Sequence, residues 1–291
     1  KKIWNKLDCC TMKNKIAIQG ELGAYSHLAA SKLFKKVNVL ACKTFEDVFE
    51  ACKKDKNTIS VIPIENSLAG RVADIHYLLP KYKLTIVGEY FHKVEHCLLA
   101  NKKVKLKDIK FVRSHAHAIG QCQKNLKKYK LTTIVAADTA GSAKHIADNA
   151  SKTEAAIASS LAAKIYNLTI LKKNFEDKKG NTTRFLIMKK NHKFPKLSKG
   201  KKFITTCIFM IKSTPGALFN ALGGFAKNNV NLTKLESFSV NNTFMQTIFY
   251  LDIAGHAQNK QVKQSIQELK KYTKKLDILG IYPVDRFRYK K

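Results

Sequence analysis

The sequence predicts an α/β protein built of two successive domains. From Lys15 to about Ile187, short runs rich in β-branched residues alternate with helical patterns, which is typical of a domain with a largely parallel sheet. After residue 202 the order changes to strand, helix, strand, strand, helix, strand, the ferredoxin-like arrangement. The chain has 291 residues, 45% of them hydrophobic, so it is large enough to form both cores.

Five junctions between a strand and a helix organise the first domain. The predicted strands are residues 16–18, 59–64, 111–113, 134–137 and 155–158, and the helices after them begin near Ser26, Arg71, Ser114 (through Lys128), Asp138 (through Asp148) and Ser159. Each junction carries Ser, Thr, Asn or Gly, and helix capping alone explains any one of them. In an open α/β sheet, however, such turns line one crevice, where helix N-termini present N–H groups to an anion. The set therefore predicts an anion-binding cleft.

The second domain follows a polar, lysine-rich linker at residues 191–201, which contains Pro195 and Gly200. Its predicted strands are residues 203–211, 232–240, 244–253 and 278–284, its helices are 216–228 and 260–274, and Asn241-Asn242 turns between the middle strands. The predicted boundaries are a tail at 1–12, a first domain at 13–190 and a second domain at 202–291. Ferredoxin-like sheets often pair side by side, so we expect a homodimer or homotetramer.

Basic residues dominate the composition. There are 54 Lys and Arg against 21 Asp and Glu, which gives a formal net charge of +33. Nucleic-acid surfaces usually cluster arginine with aromatic residues, but here only five of the 54 are arginine, and no lysine run exceeds two. We therefore predict a solvated basic surface and no nucleic-acid partner, with a positive potential that attracts small anions.

The cysteine pattern indicates a reducing compartment. The seven cysteines form no Cys-x-x-Cys pair, and most lie in apolar stretches, as expected for buried thiols of a cytoplasmic protein. No apolar stretch approaches the ~18 residues that span a bilayer, and no signal peptide is visible, so we expect no membrane partner.

Arg184 stands out in the run Asn181-Thr182-Thr183-Arg184-Phe185, because arginine is rare in this chain. A guanidinium grips a carboxylate with two hydrogen bonds, which a lysine cannot do. Thr183 places a hydroxyl beside it, and the apolar run from Phe185 would hold the group rigidly. The run is therefore a candidate site for a carboxylate ligand. The alternative is that Arg184 pairs with an Asp or Glu of the protein itself.

Five motifs in chain order resemble those of the prephenate dehydratase family with a C-terminal ACT regulatory domain. They are Gly20-Glu21-Leu22-Gly23-Ala24-Tyr25-Ser26, Pro63-Ile64-Glu65-Asn66-Ser67 with Gly70, Ser114-His115, Asp138-Thr139-Ala140-Gly141-Ser142-Ala143 and Asn181-x-Thr183-Arg184-Phe185. The resemblance covers about residues 15 to 290. One departure is Ala116-His117, where the family has Pro-Gln.

The resemblance implies a two-lobed catalytic domain similar to type II periplasmic binding proteins, with a second lobe at about 92–165. It implies conversion of prephenate to phenylpyruvate without a cofactor or metal, in phenylalanine synthesis. The implied catalytic residues are Thr183 at the leaving hydroxyl, Arg184 on a substrate carboxylate or orienting Thr183, His115 as charge or hydrogen-bond donor, and Glu65 in support. The implied substrate-binding residues are Asn66, Ser67, Ser114, Thr139, Ala140 and Phe185. A metal pair at His115 and His117 is disfavoured, since no third ligand falls at a recognisable spacing.

In the second domain, Gly216-Ala217-Leu218-Phe219 resembles half of an ACT effector site for L-phenylalanine. The implied effector-binding residues are Gly216, Ala217, Leu218, Asn231, Leu232 and Ser237. The other half of the motif reads Glu236-Ser237-Phe238-Ser239 here, where many relatives have Glu-Ser-Arg-Pro. The alternative for the first half is a helix start with Pro215 and apolar residues facing the sheet.

Three alternatives stay open at this stage. Arogenate dehydratase has the same fold, and its substrate carries an amine where prephenate has a keto group. A non-catalytic module that binds a small anion would not need the Thr183-Arg184 pair. A nucleic-acid regulator would need a stacking surface, but the only tryptophan is Trp4, in the tail. With fifteen residues before Ile16, we expect no fused chorismate mutase, so that another protein supplies prephenate.

Overall fold

A computed structural model describes residues 15–35, 38–212, 214–239 and 247–289. The described residues divide into two compact units. Unit 1 comprises residues 15–51, 57–72 and 91–185, and unit 2 comprises 52–56, 73–90 and 186–289. The predicted tail at 1–12 and the predicted turn at Asn241-Asn242 lie outside the described residues. The predicted domain boundaries stay predictions.

The elements are numbered in chain order. The strands are β1 (Lys15–Gln19), β2 (Asn38–Cys42), β3 (Thr58–Asn66), β4 (Gly70–Arg71), β5 (Thr85–Lys93), β6 (Cys97–Ala100), β7 (Phe111–His115), β8 (Thr132–Ala136), β9 (Glu154–Ala158), β10 (Thr169–Lys172), β11 (Thr182–Lys189), β12 (Phe203–Ile211), β13 (Leu232–Ser239), β14 (Thr247–Ala254) and β15 (Thr273–Pro283). The helices are α1 (Tyr25–Leu33), α2 (Phe45–Lys54), α3 (Ala73–Tyr82), α4 (Ala116–Gly120), α5 (Gln123–Lys128), α6 (Thr139–Asp148), α7 (Ser160–Ile165), α8 (Ala217–Lys227) and α9 (Lys260–Lys271).

Unit 1 contains two groups of strands, and in each group the central strand pairs in parallel with at least one neighbour. In the first, β1 pairs in parallel with both β2 and β3. In the second, a five-stranded sheet has the order β10-β6-β9-β7-β8, with β7 parallel to β8 and β9 and with β6 antiparallel to β9. The buried runs of β3 and β9 fit strands that are covered on both faces. The predicted α/β class is confirmed.

All five predicted junctions exist, but two helices differ from the prediction. The helix expected from Arg71 begins at Ala73, because Gly70 and Arg71 form β4 against the end of β3. The helix expected over residues 114–128 is two short helices after a longer β7. The second of these begins at Gln123, where the Asp177 carboxylate accepts from the N–H groups of its first turn.

Several elements of the first domain have no counterpart in the sequence prediction. Besides β4, they are β2, α2, β5, β6 and β10. Because the carboxyl ends of parallel β7, β8 and β9 share one edge, the polar residues after these strands come together at that edge.

Unit 2 contains the predicted strand and helix order. Its sheet has the order β13-β14-β12-β15 with antiparallel neighbours, and this is the ferredoxin-like topology. Residues of β12, α8, β14 and α9 form its core. The last helix ends at Lys271, three residues before its predicted end, because Thr273 already pairs with Ile211 in the sheet. The ferredoxin-like prediction is confirmed.

Candidate active site

Two strands of unit 1 carry the Glu-Asn-Ser run and the Thr-Thr-Arg run side by side, since β11 neighbours β3. The Asn66 Oδ1 atom accepts from the backbone N–H groups of Leu68 (3.0 Å) and Ala69 (2.9 Å). The Asn66 Nδ2 group therefore faces the other way, where it donates to Thr183 Oγ1 at 2.9 Å. In this contact the Thr183 hydroxyl is the acceptor, so its own proton is directed to a different partner.

Arg184 pairs with Glu65. Its Nη1 lies 3.0 Å from Glu65 Oε1, the arginine side chain is 1% exposed, and the glutamate side chain is 32% exposed. The guanidinium is thus shielded and held by a carboxylate of the protein, the alternative that the sequence left open. Its charge balances that of Glu65. Because Arg184 follows Thr183 directly in the chain, holding the arginine also holds the backbone of Thr183. Direct contact between Arg184 and a substrate carboxylate stays a prediction that this geometry does not favour.

Ser67 uses its hydroxyl to join the loop after β3 to the start of β11. Its Oγ accepts from the Thr182 N–H (2.9 Å) and donates to Asn181 Oδ1 (3.4 Å). The Asn181 Nδ2 group in turn donates to Gln121 Oε1 at 2.7 Å. Asn181 lies in the predicted carboxylate-binding run but has no role assigned to it there, and Gln121 is not among the predicted site residues. The available signal for Gln121 is its place in the junction that follows Ser114-His115.

Two predicted substrate-binding residues lie inside the core. Ser114 is fully buried, and its hydroxyl donates to the Ile157 carbonyl at 2.7 Å. Phe185 is 1% exposed. In the described conformation neither side chain can contact a ligand, because both are covered by the protein. Their observed part is to hold β7 against β9 and to anchor β11, and the sequence prediction missed this since it assigned the whole motif to the site.

His115 caps the short helix α4. Its half-buried ring accepts from the His117 N–H through Nδ1 (3.2 Å), and the two imidazoles stack with centroids 5.1 Å apart. Burial and the neighbouring His117 lower the pKa of His115, while Asp138 acts in the opposite direction. The ring is therefore mainly neutral near pH 7. Of its two predicted roles, hydrogen bonding fits this state better than supplying positive charge.

The N-terminus of α6 presents Thr139 and Ala140 beside Asp138. The Asp138 carboxylate accepts from the Gly141 N–H at 2.6 Å and so caps the helix. A Cβ atom at Gly141 would lie 2.7 Å from Asp138 Oδ2, so a side chain there would displace the capping carboxylate. Thr139 is half-buried and Ala140 is buried, so a ligand at this end would meet the Thr139 hydroxyl and backbone N–H groups.

The opening glycine turn is held against the N-terminus of α7. The Ser159 hydroxyl donates to the Gly23 carbonyl at 2.6 Å, and Tyr166 donates to the Leu22 carbonyl at 2.7 Å. Gly23 has a left-handed φ of 91°, and a Cβ atom there would lie 2.7 Å from Ala162 Cα. The turns after β1 and β9 therefore meet, as the turns after β3 and before β11 do.

The predicted effector residues all belong to unit 2. Gly216 caps α8 with a left-handed φ of 72°, which favours glycine, and Ala217 behind it is buried. Leu218 packs partly against the core, Asn231 and Ser237 are exposed, and Leu232 begins the edge strand β13. Their predicted part in binding L-phenylalanine stays a prediction.

The described part of the chain contains neither a cluster of metal-ligating side chains nor a helix suited to crossing a membrane. Residues 15–35, 38–212, 214–239 and 247–289 bring together no group of three or more His, Cys, Asp or Glu side chains that could hold a metal ion. Within these same ranges, no helix combines the length and the apolar character needed to cross a bilayer.

Known proteins resemble the chain in sequence and in structure. Residues 16–193 match the family model for prephenate dehydratase. A bifunctional N-acyl-homoserine lactone acylase/prephenate dehydratase of Komagataeibacter europaeus is 40% identical over 94% of this chain and 98% of its own length. Arogenate dehydratase 2 of Petunia hybrida is 37% identical over 93% of this chain and 72% of its own. A crystal structure of prephenate dehydratase in complex with L-Phe, from Arthrobacter aurescens, has a TM-score of 0.84 at 25% identity and covers 92% of this chain and 89% of its own.

Proposed function

The chain belongs to the prephenate dehydratase family, and we propose that it converts prephenate to phenylpyruvate, with loss of water and carbon dioxide, in L-phenylalanine synthesis. The observation that carries this proposal is the direction of the hydrogen bond between Asn66 and Thr183. Because Asn66 donates, the Thr183 proton is available to the oxygen that leaves the substrate.

The reaction breaks two bonds on opposite sides of one ring. The bond to the ring carboxylate breaks, its electron pair enters the ring, and the hydroxyl opposite leaves with the electron pair of its C–O bond. One proton is taken up to form water, carbon dioxide is released, and the ring becomes aromatic. Aromatisation favours the step strongly, so the protein must mainly hold two carboxylates and donate to the departing oxygen.

Thr183 is our candidate for that donor. A threonine is a poor acid in water, so it acts by a hydrogen bond that is already aimed before the reaction. The amide of Asn66 supports this aim, since its own orientation is set by two backbone N–H groups. Arg184 and Glu65 then serve as a neutral pair that supports the strand carrying Thr183.

The two carboxylates of the substrate need donors and positive potential. The N-terminus of α6 at Thr139 and Ala140, the neutral His115 ring and the Gln121 amide are candidates, all in unit 1. The net charge of +33 raises the local concentration of a dianion around the molecule. Ser67 and Ser114 contribute by holding the surrounding loops, because both hydroxyls already bond the protein.

The test uses purified protein, prephenate, and the ultraviolet absorbance of phenylpyruvate in alkali. We expect Thr183→Ala to lose at least about a hundredfold in kcat, the scale of a lost proton donor, with unchanged circular dichroism. Thr183→Ser is the matched control, because it keeps the hydroxyl and should retain most activity. Asn66→Asp keeps the shape but turns the donor into an acceptor, which would capture the Thr183 proton, so it should resemble Thr183→Ala. Full activity of Thr183→Ala would refute the role.

The same assay separates the neighbouring functions. Arogenate offered in parallel would give phenylalanine, and the ratio of kcat/KM values decides between the two substrates. A non-catalytic anion-binding module would bind prephenate in calorimetry but turn over neither compound.

A second candidate activity is hydrolysis of N-acyl-homoserine lactones. It is favoured by the Komagataeibacter europaeus relative, whose name includes that acylase and which this chain matches over 98% of its length. Release of free homoserine lactone from an acylated substrate would establish it here. If the two activities share a site, Thr183→Ala should abolish both; an acylase rate that survives this substitution would place it elsewhere.

We further propose feedback by L-phenylalanine at the start of α8 and on β13, in a homodimer or homotetramer. The Arthrobacter aurescens structure in complex with L-Phe supports the choice of effector. The ligand must favour one of two states, since equal binding to both would regulate nothing. Adding phenylalanine to the assay, with sedimentation in parallel, tests both points. The cytoplasmic location stays a prediction, supported by five free, buried cysteines among the described residues.

A further inference from the structure

A continuous chain of hydrogen bonds runs from the opening turn to the residues beside Thr183, through a buried histidine that no motif includes. The Tyr25 hydroxyl lies 2.7 Å from His96 Nδ1, and His96 Nε2 lies 3.0 Å from Gln121 Oε1. The Asn181 Nδ2 group donates to the same Gln121 oxygen at 2.7 Å. Ser67 continues the chain to Asn181 Oδ1 and to the Thr182 N–H. We call these five side chains, Tyr25, His96, Gln121, Asn181 and Ser67, the amide relay.

The bonds of the amide relay have one consistent direction. Ser67 donates to Asn181 Oδ1, so the Asn181 amide turns its Nδ2 towards Gln121. Gln121 must then present oxygen on this side, and that oxygen also faces His96. Because an amide oxygen can only accept, His96 must carry its proton on Nε2. Its Nδ1 is then an acceptor, and Tyr25 is the donor.

Burial keeps both His96 and Tyr25 neutral. His96 is 3% exposed, and burial lowers its pKa, although its bond to Gln121 and the Glu176 carboxylate act in the opposite direction. Burial also raises the pKa of Tyr25 well above its usual value. The backbone N–H of His96 donates to Glu176 Oε2 at 2.8 Å, and this bond anchors the backbone at this point. A neutral histidine has a single ring proton, so its position decides the direction of every bond in the relay.

The opposite direction is the competing state. It would place the ring proton on Nδ1, turn Tyr25 to the Glu95 carbonyl at 3.1 Å, and rotate both amides. The Gln121 amide would then direct its oxygen away from His96 and Asn181. In the described direction it is the Gln121 Nε2 group that points away from them, and no residue of the described part of the chain accepts a hydrogen bond from it. An anionic ligand can use the nitrogen but is repelled by the oxygen.

We propose that His96, held as the Nε2–H tautomer by Tyr25, is a positioning residue that makes Gln121 offer its amide nitrogen to an anionic substrate oxygen. This inference rests on the proposed function only for the identity of the substrate. His96 itself touches no substrate; it acts by excluding the wrong rotation of two amides. The role of Tyr25 is to donate to His96 Nδ1, and its place in the glycine turn did not indicate this role.

The first test reads the tautomer directly and needs no substrate. In protein labelled with 15N-histidine, the His96 ring signals are assigned by their disappearance in His96→Gln. At pH 7 we expect a protonated Nε2 and an unprotonated Nδ1. A protonated Nδ1, alone or together with Nε2, would overturn the proposal. In Tyr25→Phe we expect part of the population to shift to the Nδ1–H form, because the donor that holds Nδ1 as an acceptor is gone.

The second test compares two substitutions of the same residue by steady-state kinetics. His96→Phe keeps a ring but removes the donor to Gln121, so KM should rise about tenfold or more while kcat changes little, as for a lost bond to a charged group. His96→Gln keeps an N–H near the position of Nε2 and should stay within about threefold of wild type. Equal impairment of both variants, or none in either, would contradict the proposal.

Stability could confuse the comparison, so thermal unfolding of each variant is measured in parallel. If His96→Phe does not fold, Tyr25→Phe replaces it, with a smaller rise in KM that follows the fraction of protein in the Nδ1–H form. A wild-type protein that turns over neither prephenate nor arogenate would refute the proposed function and the substrate part of this inference. The tautomer experiment would still decide whether the amide relay has the direction described.

Discussion

The two units each contain a buried arginine–glutamate pair, and the pairs are built in opposite ways. In unit 1 the Arg184 guanidinium is 1% exposed and its partner Glu65 is 32% exposed. In unit 2 the Glu89 carboxylate is 0% exposed and its partner Arg288 is 16% exposed. The first pair hides its cation and leaves its acid at the surface, whereas the second hides its acid.

The unit 2 pair is surrounded by further polar partners. Arg288 grips Glu89 with two bonds, Nε to Oε1 at 2.7 Å and Nη2 to Oε2 at 2.8 Å, and it lies 3.4 Å from Asp252 Oδ2. Asp252 also accepts from Thr206 at 2.6 Å, and Thr206 lies 2.7 Å from the Tyr282 hydroxyl. Two buried carboxylates thus share one guanidinium near the end of the chain. A bonded cluster of this kind holds its side chains in one arrangement.

The comparison indicates how burial separates structural from functional charge. A buried ion pair contributes little net stability, but removing one partner leaves an uncompensated buried charge. If the arginine is removed, the charge left behind is the fully buried Glu89 in unit 2 and the partly exposed Glu65 in unit 1. In unit 1 the exposed acid can still be hydrated, so its pair is expected to matter more for the geometry of Thr183 than for folding.

Arg288→Met should have the largest effect on stability. It leaves Glu89 and Asp252 without their shared cation, so the free energy of unfolding should fall by about 3–5 kcal/mol. Urea unfolding followed by circular dichroism measures it. Lys271→Met is the control, because the pair of Lys271 and Glu268 is exposed and should contribute little to the free energy of unfolding. Similar losses in both variants would show that the buried cluster has no special weight.

Arg184→Lys should have the next largest effect, and it should act on catalysis. Lysine keeps the charge but loses the planar fork, so Thr183 would be held less firmly. We expect kcat/KM to fall about a hundredfold, or about 2.7 kcal/mol of transition-state stabilisation, with a smaller change in unfolding free energy. Arg113→Lys is the matched control, since its partner Glu154 lies at the other end of its strand from the site. An unchanged kcat/KM for Arg184→Lys would make the guanidinium purely structural.

The sequence was sufficient for the fold class and for the positions of the turns. Alternation of strands and helices predicts the parallel centres of unit 1, and the ferredoxin-like order predicts the sheet of unit 2. The capping residues predict where α6 and α7 begin, because an N-cap is a local interaction between a side chain and the next turn. Elements such as β2 and β6 were missed, since short strands without flanking turn signals give no clear local pattern.

The direction of individual side chains was harder to predict. Val112 and Ser114 are both buried in β7 while Phe111 is exposed, so period-two alternation was available to place Ser114 in the core. No such pattern exists in β11, which is buried along nearly its whole length. The bond between Arg184 and Glu65 joins residues 119 positions apart, and in the amide relay the bond between Ser67 and Asn181 joins residues 114 positions apart. Contacts at that separation depend on the assembled fold.

Acid should weaken unit 1 through its buried histidines, and this is the smallest effect that we expect. Burial lowers the pKa of His27, His92, His96 and His115 in unit 1, and it also lowers the pKa of His192 in unit 2. Burial and then Lys32 lower the pKa of His92 from 6.5 to about 4. Between these two pKa values His92 is protonated in the unfolded chain but not in the folded protein. The contribution of neutral His92 to stability is therefore fully present above pH 6.5, and it is lost as the pH drops towards 4.

For His92 the loss between pH 7 and pH 4.5 should be at most about 2 kcal/mol, because the side chain is only partly buried. Thermal unfolding at the two pH values measures it, and His92→Gln should reduce the difference. His145→Gln, an exposed position on α6, is the control and should leave the difference unchanged. If His92→Gln is as acid-sensitive as wild type, protonation of this ring is not what weakens unit 1. The contrast between the units would then depend on their ion pairs alone.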